Sequence, residues 1–265
     1  MANIRQRADA DMTQSPKTPG PEAGKAERKT SLAKRFYKDV ATKDEGGGRA
    51  SLRLDGKPVR TPGKAPLVLP TLALAEAVAA EWRAQGERID PTTMPLTKLA
   101  NSAIDGVSGR EQAVIDDILA FAGADLLCYR TQGPRGLTAA QAKHWDQVLV
   151  WAKDALGAPL VLSQGIVHIA QPGASLDRLK AKLAGRDAFS LAALHVMTSL
   201  TGSALLAIAV ALGRMTPEEA WGAAHVDEDW QISQWGEVAE AAQRRKNRWR
   251  DFVAAAQFER LLGDT

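Results

Sequence analysis

Apolar and polar residues alternate through Ala50-Ser51-Leu52-Arg53-Leu54, the period of a strand with one buried face, and Asp55-Gly56 then gives a strong hairpin-turn signal. Val59-Arg60-Thr61 and Leu67-Val68-Leu69 supply further short strands, parted by Pro62-Gly63 and stopped by Pro70. Residues 35–70 therefore read as a small antiparallel sheet. Gly46-Gly47-Gly48 lacks the Lys-Ser/Thr sequel of a phosphate loop and reads as a flexible turn within that sheet.

After Pro70 the period becomes helical. Leu74, Val78 and Trp82 share one face, and Trp82 is assigned to the core. Ser108 with Glu111 has the spacing of a capping box and predicts a helix through Val114, Ile118 and Phe121 to Gly123. Thr138 with Gln141 repeats the spacing, opening a helix with Trp145, Leu149 and Leu156 before Gly157. Leu160-Val161-Leu162 and Ile166-Val167-His168-Ile169 read as a hairpin around Ser163-Gln164-Gly165. Ser175 to Leu183 forms a short amphipathic helix closed by Gly185. Thr216-Pro217-Glu218-Glu219 combines a cap, a first-turn proline and a capping glutamate. Past Asp227 the pattern predicts one long helix to about Leu262, kinked at Gly236.

The fold class implied is α+β: a small antiparallel β-rich domain over residues 34–100, then a mainly α-helical domain over 101–265. Residues 1–33 read as a disordered polar tail, too poor in apolar side chains to offset the entropy of ordering. From Ala188 to Gly213 no Asp, Glu, Lys or Arg occurs, a length that reaches bilayer thickness. His195, Thr198, Ser199, Thr201, Gly202 and Ser203 break its apolar character, so two buried core helices are expected there, with no membrane insertion.

Composition adds little. The chain has 265 residues, 45% hydrophobic and 25% charged, with a net charge of +3, enough for a substantial core and too little clustered charge to point to nucleic acid. The single cysteine, Cys128, excludes an internal disulfide framework and fits a reducing compartment. The N-terminal stretch has no apolar centre like that of a secretory signal, and its acids Asp9, Asp11, Glu22 and Glu27 are foreign to a transit peptide. A bacterial cytoplasm is the expected location, or the mitochondrial matrix were the source eukaryotic.

Candidate chemistry is sparse. His144, His168, His195 and His225 are scattered without metal-ligand spacing, and no nucleophile elbow, kinase set or dinucleotide glycine motif occurs. His195 reads as a hydrogen-bonded core residue, and Asp116-Asp117 as solvent-facing acids. An enzyme would need distant groups such as Arg130, His144 and Asp146 to converge; no cofactor, metal or catalytic activity is expected. The run Arg244-Arg245-Lys246-Asn247-Arg248-Trp249-Arg250 could contact phosphates and stack on a base. Acids at helical spacing, such as Glu240 before Arg244, favour a solvated helix face instead.

Val226 to Glu237 holds the most informative mixture. Trp230, Gln234 and Glu237 fall on one helical stripe, and Glu228, Gln231 and Trp235 on its neighbour. A purely structural stripe would be more apolar, and tryptophan is enriched at interface centres. Asp227, Glu228, Asp229, Gln231, Gln234, Trp235 and Glu237 are the candidate partner-binding residues, with helix capping as the competing role of Asp227.

Several ordered blocks carry a resemblance. They are Arg35-Phe36-Tyr37-Lys38, Leu54-Asp55-Gly56-Lys57-Pro58-Val59-Arg60-Thr61-Pro62, Leu67-Val68-Leu69-Pro70-Thr71, Glu81-Trp82 with Gln85, Met94-Pro95-Leu96-Thr97 and Leu99-Ala100-Asn101. Downstream come Tyr129-Arg130, Gln141 with His144-Trp145-Asp146, and Gln231 with Trp235-Gly236-Glu237. Over residues 34 to 240 the chain resembles the assembly chaperones of F-type ATP synthase that bind the newly made α subunit. It departs at Asp146-Gln147, where the family commonly has proline after the aspartate, and in its extended polar N-terminus. The resemblance implies a non-enzymatic protein that shields the β-facing surface of the unassembled α subunit and releases it on assembly; a monomer is expected, and the acids of the 227–237 patch are expected to face arginines of the client.

Overall fold

Glycine-dependent reversals shape the N-terminal sheet. In the computed structural model, which describes residues 32–263, β1 (Val40–Gly46) and β2 (Arg49–Leu54) run antiparallel, with Val40 opposite Leu54 and Asp44 opposite Ala50. Gly46, Gly47 and Gly48 all have positive φ, 82°, 62° and 80°, a region that a β-carbon disfavours. The triple glycine is thus the turn itself. Asp55 (φ 48°) and Gly56 (φ 77°) make the expected second reversal into β3 (Lys57–Pro58). Hydrogen bonds from the Asp39 and Lys38 N–H groups to the Asp55 carboxylate brace that turn and lower its pKa. β4 (Val68–Leu69) pairs with the other half of the same edge of β2.

α1 (Leu72–Arg83) covers the sheet. Thr71 caps it by accepting the Leu74 N–H, and Leu74, Ala75, Val78 and Ala79 are buried with Leu52, Leu67 and Leu69 of the sheet. Each such leucine contributes about 1.5–3 kcal/mol by leaving water. Trp82 is half-buried rather than central. Its carbonyl accepts from the Tyr37 hydroxyl, and Arg35 donates to the carbonyls of Tyr37, Lys38 and Gln85, so the Arg35–Lys38 block fastens the start of the sheet to the end of α1.

The last turn of α1 also organises the next helix. Glu81 accepts from the N–H groups of Leu96 and Thr97 and from the Thr97 hydroxyl, capping α2 (Pro95–Ser102), whose own N-terminal residue makes no side-chain cap. Burial raises the Glu81 pKa, against the pull of these donors. Buried Gln85 bridges Glu81, Thr93 and Asp90. One turn of π-helix over Ala103–Val107 presents Asp105, which accepts from the Thr61 hydroxyl and the Gly63 N–H and so ties the sheet to the helices.

The helical elements are α3 (Glu111–Gly123), α4 (Arg135–Leu156), α5 (Gly173–Leu183), α6 (Ala188–Thr201), α7 (Ala204–Ala211), α8 (Pro217–Ala224), α9 (Val226–Trp235) and α10 (Ala239–Leu261). The architecture is α+β, as expected. The apolar core is continuous from Ala50 on β2 to Leu262 beyond α10. The stretch free of acidic and basic residues becomes α6 and α7, buried and separated by Gly202 at φ 70°. Among the described residues no helix is long and apolar enough to cross a membrane. The tail expected over residues 1–33 lies almost wholly outside the described residues.

Several local expectations are corrected. α3 starts at Glu111, whose carboxylate reaches back to the Gly109 N–H, and Ser108 makes no cap. α4 starts three residues before Thr138, because Pro134 can precede a first turn without losing a needed N–H. Ser163–Gln164 (β6) pairs in parallel with Tyr129–Arg130 (β5), so residues 160–169 are not a hairpin. His195 is half-exposed and bonds Asp117 at 2.6 Å across α6 and α3. The long terminal helix is two helices, α9 and α10. Gly236 between them adopts φ 83°, ψ 174°, a conformation essentially restricted to glycine. The capping box at Thr216 and Glu219 is present as read.

Candidate functional site

α9 follows α8 with hardly a gap. His225 ends α8 by donating its backbone N–H to the Trp221 and Gly222 carbonyls, and its own carbonyl accepts from Asp229. Asp227, Glu228 and Asp229 occupy the first turn of α9, where negative charge is favoured by the helix dipole. No side chain caps this end, so the capping role considered for Asp227 is not the one it plays. Instead the Gln141 side chain, 2% exposed, donates to the Asp227 carboxylate at 2.7 Å and accepts from the Thr131 N–H at 3.0 Å. One amide thereby joins α4, the β5 segment and α9.

Trp230 makes the second attachment. It packs over Gly136 so closely that a β-carbon there would lie 2.1 Å from its Cη2. Asp229 makes the third, pairing with Arg245 of α10 at 2.5 Å. Burial works against the Arg245 charge, but the hydrogen bond and charge of Asp229, with the charges of Glu228 and Glu237, outweigh it and raise its pKa. Glu228 lies 3.9 Å from the His225 ring. Burial lowers the His225 pKa, against a hydrogen bond to the Trp221 carbonyl that raises it, so the imidazole is neutral at pH 7 and the charge Glu228 faces is that of Arg245.

The seven sequence-predicted residues therefore separate. Asp227 and Asp229 are paired with Gln141 and Arg245 of the same chain, Asp229 while still exposed. Gln231, Gln234, Trp235 and Glu237 face solvent, and Glu228 is half-exposed. Glu237 does not share a helical stripe with Trp230 and Gln234, because it lies in the Gly236-Glu237-Val238 link. Along the chain, Trp235, 80% exposed, and Val238, 68% exposed, bracket the exposed Glu237 of the link. Sequence reading missed Val238, Gln141, Gly136 and Arg245. Only Val238 had a local signal, an apolar side chain within three positions of the tryptophan.

The other readings find less support. In the basic run Arg244 pairs with Glu240, Arg245 with Asp229 and Arg250 with Asp251, while Arg248 donates to the Leu200 carbonyl. Trp249 is half-buried and packs against Trp221 and Phe252. Arg130 is held by the Leu127 carbonyl, by Asp146 at 2.6 Å and over the Trp145 ring, contacts that position a strand rather than a substrate. Among the described residues no group of three or more His, Cys, Asp or Glu side chains could hold a metal ion. A cavity of about 920 Å³ lies between the α7–α8 connection and the end of α10, and none of Trp235, Glu237 and Val238 lines it. Its Arg186 and Glu259 pair at 2.5 Å with Ser190 alongside, an internal tie from α6 to α10.

Comparison with known proteins gives one consistent result. Residues 34–153 match the family model described as ATP12 chaperone protein. The crystal structure of the Atu1473 protein of Agrobacterium tumefaciens is similar at 49% identity, with 87% of each chain covered and a TM-score of 0.84. Atp12 of Paracoccus denitrificans is similar at 41% identity over 87% of this chain and 98% of the other, with a TM-score of 0.81. A mutant of that Paracoccus protein matches at 40% identity with the same TM-score.

Proposed function

This chain belongs to the ATP12 chaperone family, and on that premise we propose that it binds the unassembled α subunit of F-type ATP synthase, shields its β-facing surface and releases it as the catalytic head assembles. The chain is a chaperone of ATP synthase assembly, and the α subunit is its proposed client. An unassembled subunit exposes the apolar and charged surface that later packs against its neighbour, and such surfaces aggregate. A chaperone must cover that surface and still leave it, which favours a mixed polar and aromatic contact over a wholly apolar one.

The observation that carries this reading is the break at Gly236, around which Trp235, Glu237 and Val238, near neighbours in sequence, are all left exposed to solvent. In the proposed complex Trp235 is the apolar anchor, Glu237 and Glu228 meet client arginines, and Gln231 and Gln234 supply hydrogen bonds. Asp227 and Asp229 hold α9 in place, so the grip belongs to the other five. The protein acts as a monomer in a bacterial cytoplasm, or in the mitochondrial matrix for a eukaryotic source. It binds no nucleic acid, inserts in no membrane and catalyses no reaction.

Co-expression with an isolated α subunit tests the proposal. The subunit should stay in the supernatant and co-purify with this chain, and a Trp235→Ala variant should lose it while melting at the same temperature. An α subunit that precipitates equally with and without the chain would end this reading.

A further inference from the structure

A second exposed apolar feature lies outside α9. No Asp, Glu, Lys or Arg occurs from Ala155 to Leu176, and within that stretch Ile166 is 97% and Val167 71% exposed, with Val161 and Leu162 also open to solvent. Single exposed apolar residues are ordinary, but adjacent ones grouped on an uncharged loop mark contact surfaces.

The loop is anchored at several points. β6 pairs with β5, the Gly165 N–H donates to the Arg130 carbonyl at 2.8 Å, and the Ser163 hydroxyl donates to the Val167 carbonyl at 2.8 Å. The Gln171 amide grips Val161 twice, accepting from its N–H at 2.8 Å and donating to its carbonyl at 2.9 Å. Ser175 closes the base by donating to the Pro159 carbonyl. These bonds hold the loop backbone while its apolar side chains stay exposed. A loop held this way loses less conformational freedom on binding.

We propose that the anchored 161–168 loop is a second client-contact element, in which Ile166 and Val167 pack on an uncharged apolar patch of the same unassembled subunit. This rests on the chaperone reading above. The choice of occupant follows from charge and connection. A loop without lysine or arginine has no attraction for anionic lipid, and an uncharged surface matches an uncharged partner. The β5 segment that carries the loop is joined through Thr131 and Gln141 to Asp227 of α9, so the loop and the Trp235 corner are attached to one residue of α4. Two contacts on one framework raise the effective concentration of the second once the first has formed.

The test is titration of immobilised α subunit with the full chain, its Ile166→Ser/Val167→Ser variant and an Ile166→Leu/Val167→Leu variant. The serine variant should bind about tenfold more weakly or worse, as for loss of an interface anchor, and the leucine variant close to normally. Hydrogen exchange on the unaltered chain gives a readout independent of substitution: amides of 161–168 should slow when α subunit is added. Normal binding by the serine variant with no added protection overturns the second contact and leaves the chaperone reading standing. Failure of the unaltered chain to bind overturns both. Unchanged client binding with lost self-association, or with lost flotation on neutral phosphatidylcholine vesicles, assigns the loop to a second copy or to lipid and overturns the proposal.

Discussion

Trp230 lies so close to the backbone of Gly136 that no β-carbon fits between them; one placed there would be 2.1 Å from the indole Cη2. The contact is between α9 and the first turns of α4, and it sets where the candidate binding helix sits. Gly136→Ala should therefore push Trp230 away, at about 1–3 kcal/mol for overpacking. Urea denaturation should show the loss, and tryptophan fluorescence of the native protein should shift to the red as the indole meets water.

Gln141 is the second attachment. Gln141→Leu keeps the volume and removes both hydrogen bonds, leaving the Thr131 N–H and the Asp227 carboxylate without this partner. A cost of about 1–3 kcal/mol is expected. Hydrogen exchange should accelerate in α9 and around Thr131 more than in α6.

Charge reversal should distinguish gripping acids from fastening ones. Glu237→Lys changes an exposed link residue that reaches Arg245 only through its charge, and is expected to weaken α-subunit capture roughly tenfold or more with a smaller fall in melting temperature than Asp229→Lys. Asp229→Lys faces Arg245 with a like charge. It should lower stability by about 1 kcal/mol, a modest figure because the Asp229 side chain is half-exposed and screened. Equal thermal shifts for the two variants would contradict this division.

Asp125 gives the pH dependence. Its fully buried carboxylate accepts from the N–H groups of Leu127 and Leu205, and burial raises its pKa from 3.8 to about 6 in spite of these donors and those of Ser203 and Ala204. Between those two values the folded state holds more of the proton than the unfolded chain does. The contribution of Asp125 to stability therefore rises as pH falls from about 6 toward 4, by on the order of 3 kcal/mol. His225 opposes it, because its lowered pKa makes stability fall as pH drops below 6.5. Comparing chemical denaturation of Asp125→Asn with the unaltered chain across this range isolates the term: the unaltered chain should gain stability relative to the variant as pH falls, since asparagine does not titrate.

The sequence revealed elements where local chemistry and packing agree. Asp55-Gly56, the Thr216 capping box and the α1 face of Leu74 and Val78 each carry their own signal, and each is present. β1 had none, because Lys43, Asp44 and Glu45 lie on an exposed edge strand where alternation is not required. Residues 160–169 looked like two strands because apolar runs suit a sheet, yet Ile166 and Val167 face solvent. The break at Gly236 was visible only as a kink. A lone glycine costs a helix about 1 kcal/mol, which packing often overrides. Here packing does the reverse, since α9 follows α4 while α10 follows α6 and α2. That difference in partners moved Glu237 off the anticipated stripe and exposed Val238 beside Trp235. The roles of Asp227 and Asp229 were hidden for a similar reason: Gln141 is 86 residues from Asp227, beyond any spacing rule.

The separate moorings of α9 and α10 have a mechanical consequence. A tug on Trp235 divides at Gly236, one part running through Trp230 and Gln141 into α4, the other down α10 into α6, with the Asp229–Arg245 pair as a strut between them. Neither helix can peel away alone without straining the other's foundation. In the proposed complex the client therefore lets go at the outer face of that corner, while the helices beneath stay moored.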